Sequence, residues 1–220
     1  MEVHISKIGK TYAGSIAVLS WLVLAVQFYL YMANPNIQGV SAAEHVVRFF
    51  SFFTTLTNLL VSIAWSAIVF FSRTGLGKFF SKAATQTAVA VYISIVGIIY
   101  SLLLRSVWNP NGWQKIADHW LHDAIPFLFI VYWIFFVSKT GIGWLAPIKW
   151  LIYPIVYIVY SLIRGACVHW YPYYFVDVDK LGYLIALRNT ALVLLAFLVI
   201  GFIYVGMAKS ASRTAKPVAN

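Results

Sequence analysis

Nine consecutive residues, Asp118-His119-Trp120-Leu121-His122-Asp123-Ala124-Ile125-Pro126, gather two histidines and two carboxylates just before an apolar run, Phe127 to Val137. Imidazole takes up and returns a proton near neutral pH. His119 and His122 stand three apart and share a helical face, Asp123 lies four beyond His119, and Pro126 lies four beyond His122. Because proline has no amide hydrogen, a helix through Pro126 leaves the His122 carbonyl without its usual donor. That predicts a bend, or an oxygen free for a side chain or water. A second polar cluster opens another apolar run: Ser51-Phe52-Phe53-Thr54-Thr55-Leu56-Thr57-Asn58 holds four hydroxyls and one amide in eight residues. Thr54, Thr57 and Asn58 share a face by the same spacing, where small polar groups either join helices or line a cavity. A threonine hydroxyl beside a histidine is a route to acyl transfer, with an arginine or backbone donor holding the developing oxyanion.

The elements that must position these groups are membrane spans. The chain has 220 residues, 62% of them hydrophobic and only 10% charged, far from the composition of an average soluble domain. Its net charge of +10 does not point to nucleic acid, because the basic residues lie mostly between the apolar runs, where they set topology. The single Cys167 excludes an intrachain disulfide and a cysteine-based metal cluster.

Hydropathy and turn signals predict an all-α polytopic protein: one six-helix transmembrane domain over 1–208, with spans at about 12–32, 49–71, 83–107, 119–137, 150–170 and 184–207. Residues 209–220 read as a basic, disordered tail. Asn34-Pro35-Asn36 with Gly39 closes the first span as a turn. Ten of the basic residues (Lys7, Lys10, Arg73, Lys78, Lys82, Lys139, Lys149, Lys209, Arg213 and Lys216) fall in the two tails and the alternate loops. The positive-inside rule then places both termini in the cytoplasm.

That topology brings Thr54, Arg105, His119, His122, Arg164 and Arg188 toward one leaflet, the outer one. Tyr153, Tyr157, Tyr160 and Arg164 in the fifth span sit at offsets of 0, 4, 7 and 11, one helical face suited to the bundle interior. Ionisable groups inside a bundle tend to mark functional cavities. The chemistry stays open between acyl transfer, simple interhelical hydrogen bonding by His122, and a minority metal reading on His119, His122, Asp123 and His45. The sequence holds no nucleotide loop and no GxSxG elbow, and no cofactor is expected.

Phe52-Phe53-Thr54 through Asn58, His119-x-x-His122 with Pro126, Tyr153-Pro154, Arg164-Gly165, and Tyr171-Pro172-Tyr173-x-Phe175 followed by Asp177 resemble the prokaryotic six-transmembrane proteins. Those are distantly related to the eukaryotic androgen-induced integral-membrane family. The resemblance covers about residues 12–205. It implies a bacterial inner-membrane threonine hydrolase of lipid esters, fatty acid esters of hydroxy fatty acids among them. Thr54 would be the nucleophile, with Thr55 and Thr57 as fallbacks, and His122 the general acid and base. Asn58, Thr57, Arg105, His119, Asp123, Tyr157, Tyr160, Arg164 and Arg188 would support it or hold the substrate's polar group. The expected partner is a membrane lipid or lipid-like ester and not nucleic acid. The competing class is a non-enzymatic protein that binds or transports a lipid or small molecule, although no inverted duplication is evident.

Overall fold

The computed structural model describes residues 6–34 and 39–214; Pro35 and Asn36, expected in a turn, lie outside them. Among the described residues there is no strand, and six helical segments are long and apolar enough to cross a membrane: Lys7–Met32, Phe53–Phe70, Ala83–Leu104, Gly112–Phe136, Ala146–Val168 and Val178–Ser212. The chain is an all-α, membrane-embedded bundle.

Local chemistry sets the helix starts. In α1 (Lys7–Met32) the Ser6 hydroxyl accepts from the Gly9 amide at 3.1 Å, so the helix begins a turn earlier than hydropathy suggests. Ser41 caps α2 (Ala42–Phe50) in the same way through the Glu44 amide. The second apolar run is therefore two helices. Ser51 and an extended Phe52 separate α2 from α3 (Phe53–Phe70), which has no side-chain cap of its own. A short α4 (Gly75–Phe80) leads into α5 (Ala83–Ile99), which widens into a π-helical turn at Tyr100–Leu104.

The fourth span starts at Gly112, seven residues before the expected 119, and comprises α6 (Gly112–His119), a π-helical turn at Trp120–Ala124 and α7 (Ile125–Phe136). Asp118 and His119 thus close its first helix, where Asp118 was expected just before the span and His119 at its start. Lys139 terminates α7: its ammonium donates to the Val137 carbonyl at 2.5 Å and to that of Trp133, above the Trp133 ring. Burial pulls the Lys139 pKa down to about 8, and these carbonyls hold the charged form against that pull. The fifth span is α8 (Ala146–Trp150) hinged at Leu151 to α9 (Ile152–Val168), with Pro154 in the first turn of α9, where its missing N–H has no intrahelical role. In α10 (Val178–Thr214) Gly182 takes a left-handed φ of 72°, which lacks the penalty a Cβ would bring. The helix runs through Thr214, so 209–214 are not the disordered tail expected. Residues 215–220 lie outside the described residues.

Helices α3 and α5 occupy the centre, with 56% and 61% of their spans buried against 17% for the span containing α9. Their core is aromatic: Trp65, Phe129, Tyr132 and Trp133 are almost fully enclosed. Because lipid supplies little hydrophobic drive between helices, the polar contacts matter for register. Trp133 Nε1 donates to the Thr87 hydroxyl at 2.9 Å, Tyr92 to the Trp150 carbonyl at 2.7 Å, and the Ser94 and Tyr204 hydroxyls meet at 2.8 Å.

Candidate functional site

The π-helical turn at Trp120–Ala124 follows from Pro126. In this turn the Ile125 amide bonds back to the Trp120 carbonyl, five residues earlier. In the same register Pro126 faces Leu121, to which it has no N–H to offer. The Leu121 carbonyl is instead taken by the Asn58 side-chain amide at 3.2 Å, and the same Asn58 nitrogen donates to the Thr54 carbonyl at 2.9 Å. The oxygen expected to be released was that of His122; in the π-helical register the carbonyl that Pro126 leaves without a donor is that of Leu121. Helix α5 comes close here, since a Cβ on Gly97 would lie 3.1 Å from the His122 carbonyl oxygen.

The nine-residue stretch resolves into two pairs, each four apart and on adjoining faces. In the inner pair, His122 Nδ1 lies 3.2 Å from Asp118 Oδ1 and 3.0 Å from the Asp118 carbonyl oxygen. A carbonyl only accepts, so Nδ1 carries the hydrogen and Nε2 of neutral His122 has the free lone pair. Asp118 is 4% exposed and also accepts from the Tyr100 hydroxyl, while the Tyr100 and His122 rings stack at 3.9 Å. Three contacts therefore fix one imidazole. In the outer, exposed pair, His119 Nδ1 lies 2.9 Å from Asp123 Oδ2, and Arg105 bonds the other oxygen of that carboxylate.

Thr54 is the second residue of α3, in the turn whose backbone N–H groups lack intrahelical acceptors. Its amide donates to the Tyr173 oxygen at 3.2 Å, and the Thr54 and Tyr173 hydroxyls lie 3.4 Å apart. Tyr173 arrives from the loop after α9, clasped by the rings of Phe52 and Phe175. Desolvation raises its pKa, keeping the phenol neutral. Thr54, Thr55, Asp118, His122, Tyr100 and Tyr173 all line one cavity of about 330 Å³ at the end of the bundle where α1 finishes and α3 begins. Thr54 and Tyr173 also line a narrow apolar chamber between α5, α9 and α10. On its other side His122 borders an open, largely apolar groove of about 540 Å³ along α5, α7 and α10.

The remaining expected residues divide. Asn58 is fully buried beneath the cavity, and Thr57 turns toward Tyr153, their hydroxyls 3.3 Å apart. Tyr157 donates to the Ser51 carbonyl at 3.0 Å, and the Tyr160 hydroxyl meets that of Ser51 at 2.9 Å, so the α9 stripe grips the break between α2 and α3. Arg164 bonds Glu44; Arg188 is exposed, bonds Asn189, and does not border the cavity. His45 packs against Tyr31, apart from both histidines of the opening stretch. Among the described residues no three His, Cys, Asp or Glu side chains group as metal ligands, so the metal reading is not assembled: the two histidines point into different pairs.

The structure brings Tyr100 and Tyr173 to the site and assigns Asp118, one of the two carboxylates able to orient a histidine, to His122. Only Asp118 had a local signal, its spacing of four from His122. Glu44, which accepts from Arg48 and Arg164, has its pKa held below the ordinary value of 4.5, chiefly by the Arg48 hydrogen bond. The sign follows: its stabilisation is full above the ordinary carboxylate pKa and is lost as pH falls through the lower folded value. Acid melting curves should therefore show a limb below about pH 4.5 that is smaller in Glu44→Gln; superimposable curves for the two proteins would contradict this.

Comparison with family models, curated proteins and solved structures found no match. Fold and site together define a membrane protein with six candidate spans among the described residues and a largely apolar cavity at one end of its bundle, into which Thr54, His122 and Asp118 bring polar groups.

Proposed function

We propose that the chain is an intramembrane lipid-ester hydrolase of the kind the androgen-induced family represents, with Thr54 as nucleophile and His122 as general acid and base. The observation that carries this reading is that Thr54 and His122 line one cavity while Asp118 holds the His122 proton on Nδ1. In the reaction, Thr54 Oγ1 forms a bond to the ester carbonyl carbon as its proton passes to His122 Nε2. The first-turn amides of α3 and the Tyr173 hydroxyl are the donors nearest the developing oxyanion. Collapse breaks the bond to the alkoxide, which takes the proton from His122 and leaves as an alcohol. Water, deprotonated by His122, then attacks the acyl-threonine; the carboxylic acid departs and Thr54 regains its proton.

The apolar chamber and the lateral groove suit acyl chains that arrive from lipid. The surplus of lysine and arginine in the tails and alternate loops supports cytoplasmic termini; with that orientation the cavity would open in the outer half of the inner membrane. A fluorophosphonate probe should add one covalent label to the detergent-solubilised protein, located at Thr54 by peptide mass spectrometry and lost in Thr54→Ala, with chelator having no effect. An unlabelled but folded wild type that still binds fatty-acyl ligands would instead support the non-enzymatic lipid-binding class.

A further inference from the structure

Outside the Thr54 and His122 pair lies a second charged cluster, on α2, the last turns of α9 and Trp170, two residues beyond that helix. Glu44 Oε1 accepts from Arg48 Nε at 2.8 Å and from Arg164 Nη2 at 2.5 Å. Both guanidinium carbons stand over the Trp170 ring, at 5.0 Å for Arg48 and 4.9 Å for Arg164. Two cations share one carboxylate, so the group keeps a formal charge of +1 against the face of an indole.

The second observation is independent of that charge. The Arg164 side chain is only 10% exposed, and its Nη1 is buried without a hydrogen-bond partner. A buried donor on a charged group left idle costs more than a neutral one. As a rivet between α2 and α9, the cluster needs only the nitrogens that reach Glu44; it gives no role to Nη1. Trp170 packs edge-to-face on Phe52 at 5.7 Å, and Phe52 and Tyr31 both line the cavity. One aromatic layer therefore separates the guanidinium pair from the cavity.

We infer that Arg48, Arg164 and Trp170 form an oxyanion-binding site beside the cavity, behind its aromatic wall, selecting a carboxylate or phosphate. Arginine suits this role because its planar fork matches the two oxygens of such a group, and the indole face stabilises the cations while no ligand is bound. The site stands whether or not Thr54 reacts, and its test reads binding alone.

The measurement is dissociation and thermal shift in neutral maltoside micelles, on Thr54→Ala protein so that turnover plays no part. The probes are dodecanoate, dodecyl phosphate, dodecanol, acetate and inorganic phosphate. Dodecanoate and dodecyl phosphate should bind at least roughly ten-fold more tightly than dodecanol, the size expected of one charge-assisted contact. Binding by acetate or inorganic phosphate at matched concentration identifies a free anion as the ligand; silence from both identifies an amphiphile headgroup. Arg164→Gln should erase the preference for anions and leave dodecanol unchanged, with Arg164→Lys restoring part of it. Should Arg164→Gln fold poorly, Arg48→Gln provides the same comparison with the Arg164 to Glu44 pair intact. Equal affinity for dodecanol and dodecanoate, or an anion preference that survives both glutamine variants, would leave the cluster as a rivet and overturn the inference.

Discussion

Thr54→Ala and His122→Ala should each lower turnover of a medium-chain p-nitrophenyl ester by about 10²-fold or more, since general acid–base assistance alone contributes roughly 10² to 10⁴. The double variant should fall little below either single one, because groups that act as a unit are not additive. His119→Ala is the informative control. It removes an imidazole from the same nine-residue stretch, yet His119 faces outward to Asp123 and Arg105, so activity should stay close to wild type. Asp118→Asn should cost an intermediate factor, because the imidazole keeps the Asp118 carbonyl and the Tyr100 stack but loses the carboxylate that stabilises its cation. Activity that persists in Thr54→Ala, or that falls equally in His119→Ala and His122→Ala, would sink the assignment of nucleophile and base.

The second large effect concerns Asn58. One side-chain nitrogen holds the carbonyl of Thr54 and that of Leu121, the residue before the proposed base. It therefore ties the first turn of α3 to the π-helical turn. Asn58→Ala should destabilise the protein by about 1–3 kcal/mol, the cost of leaving a buried polar group unpaired, and should also reduce turnover by loosening the distance between Thr54 and His122.

A compensating change separates this account from simple loss of packing. The Leu121 oxygen needs Asn58 because Pro126 has no N–H. Pro126→Ala supplies that hydrogen, so the double variant Asn58→Ala/Pro126→Ala should recover part of the stability that Asn58→Ala loses. The thermodynamic cycle should show coupling of 0.5 kcal/mol or more, roughly the threshold for residues that share a partner. Strict additivity would show that Asn58 and Pro126 do not act on the same carbonyl. Stability recovered without activity would separate helix repair from the alignment of Thr54 and His122.

Much of this arrangement is legible in the sequence. Continuous apolar runs define the six crossings because a backbone inside lipid must satisfy its own hydrogen bonds, and their polar ends mark where the side chains gather. The chemistry of Pro126 was legible too, since a missing N–H follows from the residue type alone. Boundaries moved where caps intervened: Ser6 starts α1 early, and the extended Phe52 divides the second run.

Sequence spacing is blind to which helical face meets the bundle. Asp118 with His122 and His119 with Asp123 are both pairs four apart, equivalent along the chain and about 100° from one another around the helix. Only the packing of α3 and α5 against that helix turns the first pair toward Tyr100 and the cavity and leaves the second beside Arg105 at the surface. Tyr173 reaches the Thr54 amide across 119 positions of chain, and Asn58 reaches Leu121 across 63. Sequence by itself determined the helices and the polar groups they carry. Tertiary structure chose which groups meet, because that choice depends on contacts between distant segments that no local periodicity encodes.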